Sequence, residues 1–201
     1  MFQVERLDID TSLTALLVMD VQNDQYGLVE KAGQAGPLLD TLCDTIHGAR
    51  QAGMPVIYVV VQYRIGYPEA HPRNRFQVFN KEKNRLQEGS EEAQIHSDVA
   101  PEPGDIIVTK RRVNAFFNTD LDTVLRSLGI ETIVLTGIAT RGVILSTTRH
   151  AADADYEVVI LEDGCADPDP EIHDFLIRKI LPWQATIGTA KSFIRAVERR
   201  S

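Results

Sequence analysis

Six short apolar runs, rich in β-branched residues, recur along the chain with amphipathic or polar stretches between them. The first, ALLVMDV (15–21), has five consecutive apolar positions. It lacks the alternation of a strand that faces water on one side, so it predicts a strand covered on both faces. Pro37 to Gln51 reads as a helix, because Leu38, Leu39, Leu42, Cys43, Ile46 and Ala49 recur at three- and four-residue spacing and Gly53 stops the pattern. PVIYVVV (55–61) is a second strand. Residues 62–104 hold no long periodic segment and are rich in Gly, Pro, Asn, Arg and Glu; a loop of that length in a compact domain is usually functional or mobile.

The alternation then resumes. DIIVTK (105–110) predicts a strand, Asp120 to Leu128 a helix ended by Gly129, TIVLTGIA (132–139) a strand and Val143 to Ala154 a helix. EVVILED (157–163) predicts a strand, Pro170 to Ile180 a helix, ATIGTA (185–190) an edge strand, and a short helix closes the chain. Strand and helix in turn imply βαβ units and a parallel sheet with helices on both faces. No repeat, low-complexity tract or linker divides residues 1–201, so one α/β domain is expected.

Composition narrows the partners. Against 21 Lys and Arg stand 29 Asp and Glu, a formal net charge of −8. This argues against nucleic acid or an anionic membrane, since a phosphate surface needs a basic face. No apolar run is long enough to span a bilayer, and the opening MFQVERLDID carries acids in place of an apolar leader core. Two distant cysteines, Cys43 and Cys165, suit a reducing compartment, although spacing alone leaves one disulfide open. The cytoplasm is the expected location.

In an open parallel sheet, ligands bind beyond the carboxyl ends of the strands, near the point where strand order reverses. The residues there are Asp20, Gln22, Asn23 and Asp24, then Gln62, Tyr63 and Arg64, then Lys110, Arg111 and Arg112. Gly137 to Gly142 and Asp163 to Cys165 complete the set. Asp20 follows five apolar residues without a turn signal, and Lys110 ends IIVT in the same way. An acid at a buried strand end needs a positive partner, and Lys110 supplies one.

Other motifs fail. GIATRG (137–142) has phosphate-loop glycine spacing, but Val143 and Ile144 stand where Lys and Ser or Thr are required. There is no GxGxxG and no GxSxG, and DVQND (20–24) has Gln22 in place of the second acid of a phosphoaspartate motif. His47, His71, His96, His150 and His173 are scattered, with no HxH or HExxH, so no metal site and no cofactor are expected.

LLVMDVQND (16–24), VTKRRVNAF (108–116), TGIATRGVILSTTRHAADADY (136–156) and LEDGCADPDPEIH (161–173) together resemble the isochorismatase-like hydrolases, in order, over roughly residues 14 to 190. The resemblance implies a three-layer α/β/α fold with a six-stranded parallel sheet of Rossmann-like order, and a cis peptide in the turn after the fourth strand. It also implies an Asp–Lys–Cys site and assembly into homodimers or homotetramers. On this chain the acid is Asp20 and the lysine Lys110, and the place of the cysteine is taken by Val143. The metal-binding residues of the nicotinamidase branch are replaced by Gln62-Tyr63-Arg64. Substrate-binding candidates are Gln22, Gln62, Tyr63, Arg64, Phe116, Ala139, Gly142 and Val143. Tyr67, Arg73, Arg75 and Phe76 are further candidates for pocket walls, or for an oligomer contact.

Some members of this family without the cysteine cleave a vinyl ether by acid catalysis, so the resemblance implies that a protonated Asp20 delivers its proton to carbon, that water then attacks, and that Lys110 orients Asp20 and pairs with a substrate carboxylate. A tension comes with it: a general acid needs a raised pKa, and a neighbouring ammonium lowers it. Three readings stand side by side. The first is a hydrolase of a small organic acid or vinyl ether using Asp20 and Lys110. The second is an amide or C–N hydrolase using Cys165 or an activated water, and the third is a ligand-binding protein without catalysis.

Overall fold

The computed structural model describes residues 7–198; most of the N-terminal stretch read for a leader, and the last three residues of the expected 1–201 domain, lie outside it. Six strands, β1 (Thr14–Met19), β2 (Val56–Val61), β3 (Ile106–Lys110), β4 (Thr132–Ile138), β5 (Glu157–Ala166) and β6 (Thr186–Gly188), form one sheet in the order β3-β2-β1-β4-β5-β6. Every pairing is parallel. The apolar run of β1 has the predicted cause: Ala15, Leu17 and Met19 enter the core on one face, and Leu16 and Val18 enter the core on the other. The first face is covered by α4 (Leu121–Ser127), α5 (Leu145–Asp153) and α6 (Pro170–Phe175). The second is covered by α1 (Asn23–Lys31), α2 (Leu38–Gln51) and α7 (Ala190–Glu198). The three-layer α/β/α architecture with a six-stranded parallel sheet is therefore as expected.

Two helices were invisible to periodicity. Helix α1 buries a single residue, Val29, so NDQYGLVEK shows no apolar stripe. Helix α3 (Arg75–Glu82), inside the 62–104 segment, buries Gln77 and Asn80 instead of apolar groups, and Asn74 caps it by accepting from the Gln77 amide at 3.2 Å. Elsewhere the bounds shift. The helix expected from Val143 starts earlier, as a wide π-type turn over Thr140–Ile144 that runs into α5, and a similar turn over Leu176–Ile180 extends α6.

The chain runs outward from β1 through β2 to β3, then returns to the other side of β1 with β4. The resulting crevice lies between the carboxyl ends of β1 and β4. Gly137 lets these two strands close there. Its φ is +129°, and a Cβ would sit 1.9 Å from the Met19 carbonyl oxygen, so no other residue fits beside the end of β1. The peptide that follows, Ile138–Ala139, is cis, as the family resemblance implied.

Candidate active site

Asp20 is the first residue past β1. Its N–H donates to the Val59 carbonyl at 2.8 Å, and its φ of +55° turns the chain out of the strand direction. The carboxyl enters a cavity of about 280 Å³ at the β1–β4 crevice. Lys110, the last residue of β3, lines the same cavity, and its Nζ lies 2.8 Å from Asp20 Oδ2 and donates to the Arg112 carbonyl at 3.0 Å. Asp20 is 5% and Lys110 1% exposed, so this is a buried ion pair reaching past the end of β2. Asp20 Oδ1 has no hydrogen-bond partner.

Burial and the neighbouring ammonium act on the Asp20 carboxyl in opposite directions. Loss of solvent pushes the Asp20 carboxyl above its ordinary value, and this outweighs the charge and hydrogen bond of Lys110, which pull it down. The pair thus combines a carboxyl made less acidic by burial, one open oxygen and an adjacent ammonium.

The cavity floor on the β4 side is Ile138, Ala139, Gly142 and Val143. That turn is braced from behind. Asp167, its side chain wholly buried, accepts from the Arg141 amide at 2.9 Å and from Arg141 Nε at 2.7 Å. The Thr140 hydroxyl meets His173 Nδ1 at 2.7 Å and the Ala166 carbonyl at 3.3 Å, and burial lowers the His173 pKa. Tyr63, Phe76, Arg85 and Leu86 form the opposite wall, supplied by the 62–104 segment, while Gln25 and Leu28 of α1 close one side. The Tyr63 hydroxyl accepts from Gln77 Nε2 and Asn80 Nδ2, each at 3.2 Å, which accounts for the polar buried face of α3.

Of the sequence candidates, Asp20, Lys110, Tyr63, Ala139, Gly142, Val143 and Phe76 line one cavity. Seven others lie elsewhere. The Gln22 amide is spent on structure: Oε1 accepts from the Val61 N–H at 2.9 Å, and Nε2 donates to the carbonyls of Val61 at 3.0 Å and Ala93 at 2.7 Å. It continues the β1–β2 pairing through a side chain. Gln62 reaches the Ala93 carbonyl at 3.4 Å, and the exposed Arg64 pairs with Glu69. Phe116 belongs to the core and stacks on His150 at 4.7 Å. Tyr67 is buried behind Tyr63, and Arg73 and Arg75 are exposed.

Neither spacing nor motif pointed to Gln25 and Leu28, which ride on the unpredicted α1, or to Arg85, which bonds Asp24 through Nε at 3.1 Å. Neither thiol lines the cavity. Cys165 Sγ donates to the Leu135 carbonyl at 3.8 Å within the core, where burial pushes its pKa well up. Cys43 donates to the Asp98 carbonyl at 3.1 Å, and both cysteines are free. Among the described residues no three His, Cys, Asp or Glu side chains converge as metal ligands, and no helix is long and apolar enough to cross a membrane.

Comparison with known proteins agrees with this geometry. The model of the isochorismatase domain matches residues 14–192. A ureidoacrylate amidohydrolase of Stutzerimonas stutzeri is 32% identical, over 96% of this chain and 88% of that protein. One from Methylobacterium radiotolerans is 33% identical, over 83% of this chain and 72% of that protein. Among solved structures, an isochorismatase family protein of Burkholderia thailandensis superposes with a TM-score of 0.82 at 26% identity, covering 96% of this chain and all of its own (100%). A cysteine hydrolase of Pseudomonas syringae pv. phaseolicola shares the fold with a TM-score of 0.87 at 24% identity, covering 98% of this chain and 97% of that one. With its sheet order, its cis peptide and its strand-end acid and lysine, the chain belongs to the isochorismatase family of hydrolases.

Proposed function

We propose that this chain hydrolyses a small organic acid in which oxygen or nitrogen is attached to a carbon–carbon double bond, using Asp20 as proton donor and water as nucleophile. The observation that carries the reading is Val143: it faces the cavity of the Asp20–Lys110 pair, in which no thiol takes part. Valine offers no atom for a covalent intermediate. Cys165 is a poor substitute, since its thiol is buried in the core and pushed up in pKa.

The steps balance without any other group. Asp20 Oδ1 transfers its proton to the distal carbon of C=C–X, where X is O or N. The carbon bearing X becomes cationic and is stabilised by the lone pair of X. Water adds to it, and its proton returns to Asp20. The C–X bond of the adduct then breaks as the proton of its new hydroxyl passes to X, which leaves as the protonated alcohol or nitrogen compound, and a carbonyl remains. Burial weakens the acidity of Asp20, and the Lys110 ammonium at Oδ2 stabilises the carboxylate that forms as the proton leaves. The lysine's effect is therefore largest in the transition state.

The relatives named ureidoacrylate amidohydrolases carry in their name the cleavage of an amide C–N bond, which favours as a second reading an amide or C–N hydrolase using an activated water. The test is a hydrolysis screen of isochorismate, simple vinyl ethers, ureidoacrylate and small amides with wild type and Asp20→Asn. In D₂O the reading expects one deuterium on the protonated carbon of the product, and no turnover by Asp20→Asn. Turnover of saturated amides alone, or an Asp20→Asn protein as fast as wild type, would refute it.

A further inference from the structure

Four cations line the cavity: Lys110, Arg85, Arg112 and Arg141. Three have carboxylate partners, Lys110 with Asp20, Arg85 with Asp24 and Arg141 with Asp167. Arg112 differs. Its Nη1 donates to the Arg111 carbonyl at 2.7 Å and its Nη2 to the Glu69 carbonyl at 3.2 Å. Among the described residues no acid pairs with it. Carbonyls pin a guanidinium without cancelling its charge, and these two use only part of a fork of five donors.

The backbone of Arg112 is fixed as well, because its own carbonyl accepts from Lys110 Nζ, the ammonium that holds Asp20. A half-buried, oriented and uncompensated guanidinium therefore stands two residues from the lysine of the reacting pair. Among the described residues the only acid lining the cavity is Asp20. An anion entering it meets, apart from the ammonium already held at Asp20, a guanidinium with no acid beside it at a fixed place, and a planar carboxylate is the group a guanidinium fork fits best.

We infer that Arg112 is the residue that selects a carboxylate in the substrate, holding it so that the double bond lies at Asp20 Oδ1. This deepens the hydrolytic reading and rests on that reading's assignment of the cavity as the substrate site. Arg112 here is an anchor and not a proton donor, so its loss weakens binding of the anion more than it slows the bond-breaking step.

Two pairs of probes differ only in charge: 3-ureidopropionate with 3-ureidopropionamide, and benzoate with benzamide. Both acids lack the activated double bond, so calorimetry reads binding alone. Wild type is expected to bind each carboxylate at least about tenfold more tightly than its amide, as a charge-assisted hydrogen bond requires. Arg112→Met should weaken the carboxylates at least about 30-fold and leave the amides within about threefold. Arg112→Gln keeps donors for the two carbonyls and serves the same purpose should the Met variant misfold, and circular dichroism checks both.

Equal binding of acid and amide by wild type, no binding of any probe, or an acid preference that survives in Arg112→Met and Arg112→Gln would each overturn the assignment. The screen on C=C–X substrates is read separately. Absent turnover with an Arg112-dependent acid preference defeats the hydrolytic reading and leaves the anchor standing. Turnover with an Arg112-independent KM does the reverse.

Discussion

Replacing Lys110 by Met tests the central pair through stability as well as rate. Nζ and Oδ2 are 2.8 Å apart, which corresponds to a gross attraction of about 6 kcal/mol at an effective dielectric of 20. Desolvation of two nearly buried groups offsets much of this, but removing one partner strands the other, and such losses are commonly about 3–5 kcal/mol. Asp20 has a way to limit the loss, because a carboxyl left alone in a buried site takes up a proton. Its pKa in the folded protein is already raised by burial, and loss of the lysine raises it further. A carboxyl raised on folding contributes stability that is fully present below its unfolded pKa and is lost as pH rises through its folded pKa. Lys110→Met should therefore lose about 3–5 kcal/mol near pH 8 and clearly less near pH 5. Urea unfolding of wild type and variant at the two pH values, followed by circular dichroism, reads the difference directly. An equal loss at both, or a larger loss in acid, would refute the claim that burial dominates the acidity of Asp20.

Gly137→Ala places a Cβ 1.9 Å from the Met19 carbonyl oxygen at a φ of +129°, so the variant should lose more than about 4 kcal/mol and yield little folded protein. Asp167→Asn removes the buried charge bracing Arg141; a drop of about 2 kcal/mol in urea unfolding is expected, with slower turnover, because the 140–144 turn is the cavity floor. If Asp20 donates a proton, kcat should fall on the alkaline side with a limit of about tenfold per pH unit, and a stopped assay across pH should show that limb in wild type.

The sheet was legible because its strands announce themselves. Runs such as ALLVM at 15–19 are buried on both faces, and strands of that kind with helices between them call for a covered parallel sheet. Asp20 and Lys110 were legible for a related reason: a charged residue directly ending an apolar run is conspicuous, and the topology brings both ends to one crevice. The walls were not. Helices α1 and α3 present polar faces inward, Gln77 and Asn80 toward the Tyr63 hydroxyl, so hydrophobic periodicity passes over them. Gln22 misled for the opposite reason. A polar residue at a strand end looks like a ligand group, and only the structure shows its amide replacing backbone hydrogen bonds to Val61 and Ala93. Arg112 stood in view beside Lys110, but its lack of an acidic partner emerges only when every neighbouring cation is seen with its own.

The most direct measurement is steady-state turnover by a protein with no thiol, Cys43→Ser combined with Cys165→Ala, on a substrate accepted by wild type, with Asp20→Asn beside it. Hydrolysis by a buried acid and water predicts that the thiol-free protein keeps its rate within about threefold while Asp20→Asn loses at least about a hundredfold. A folded thiol-free protein that has lost turnover, with Asp20→Asn still active, would contradict it.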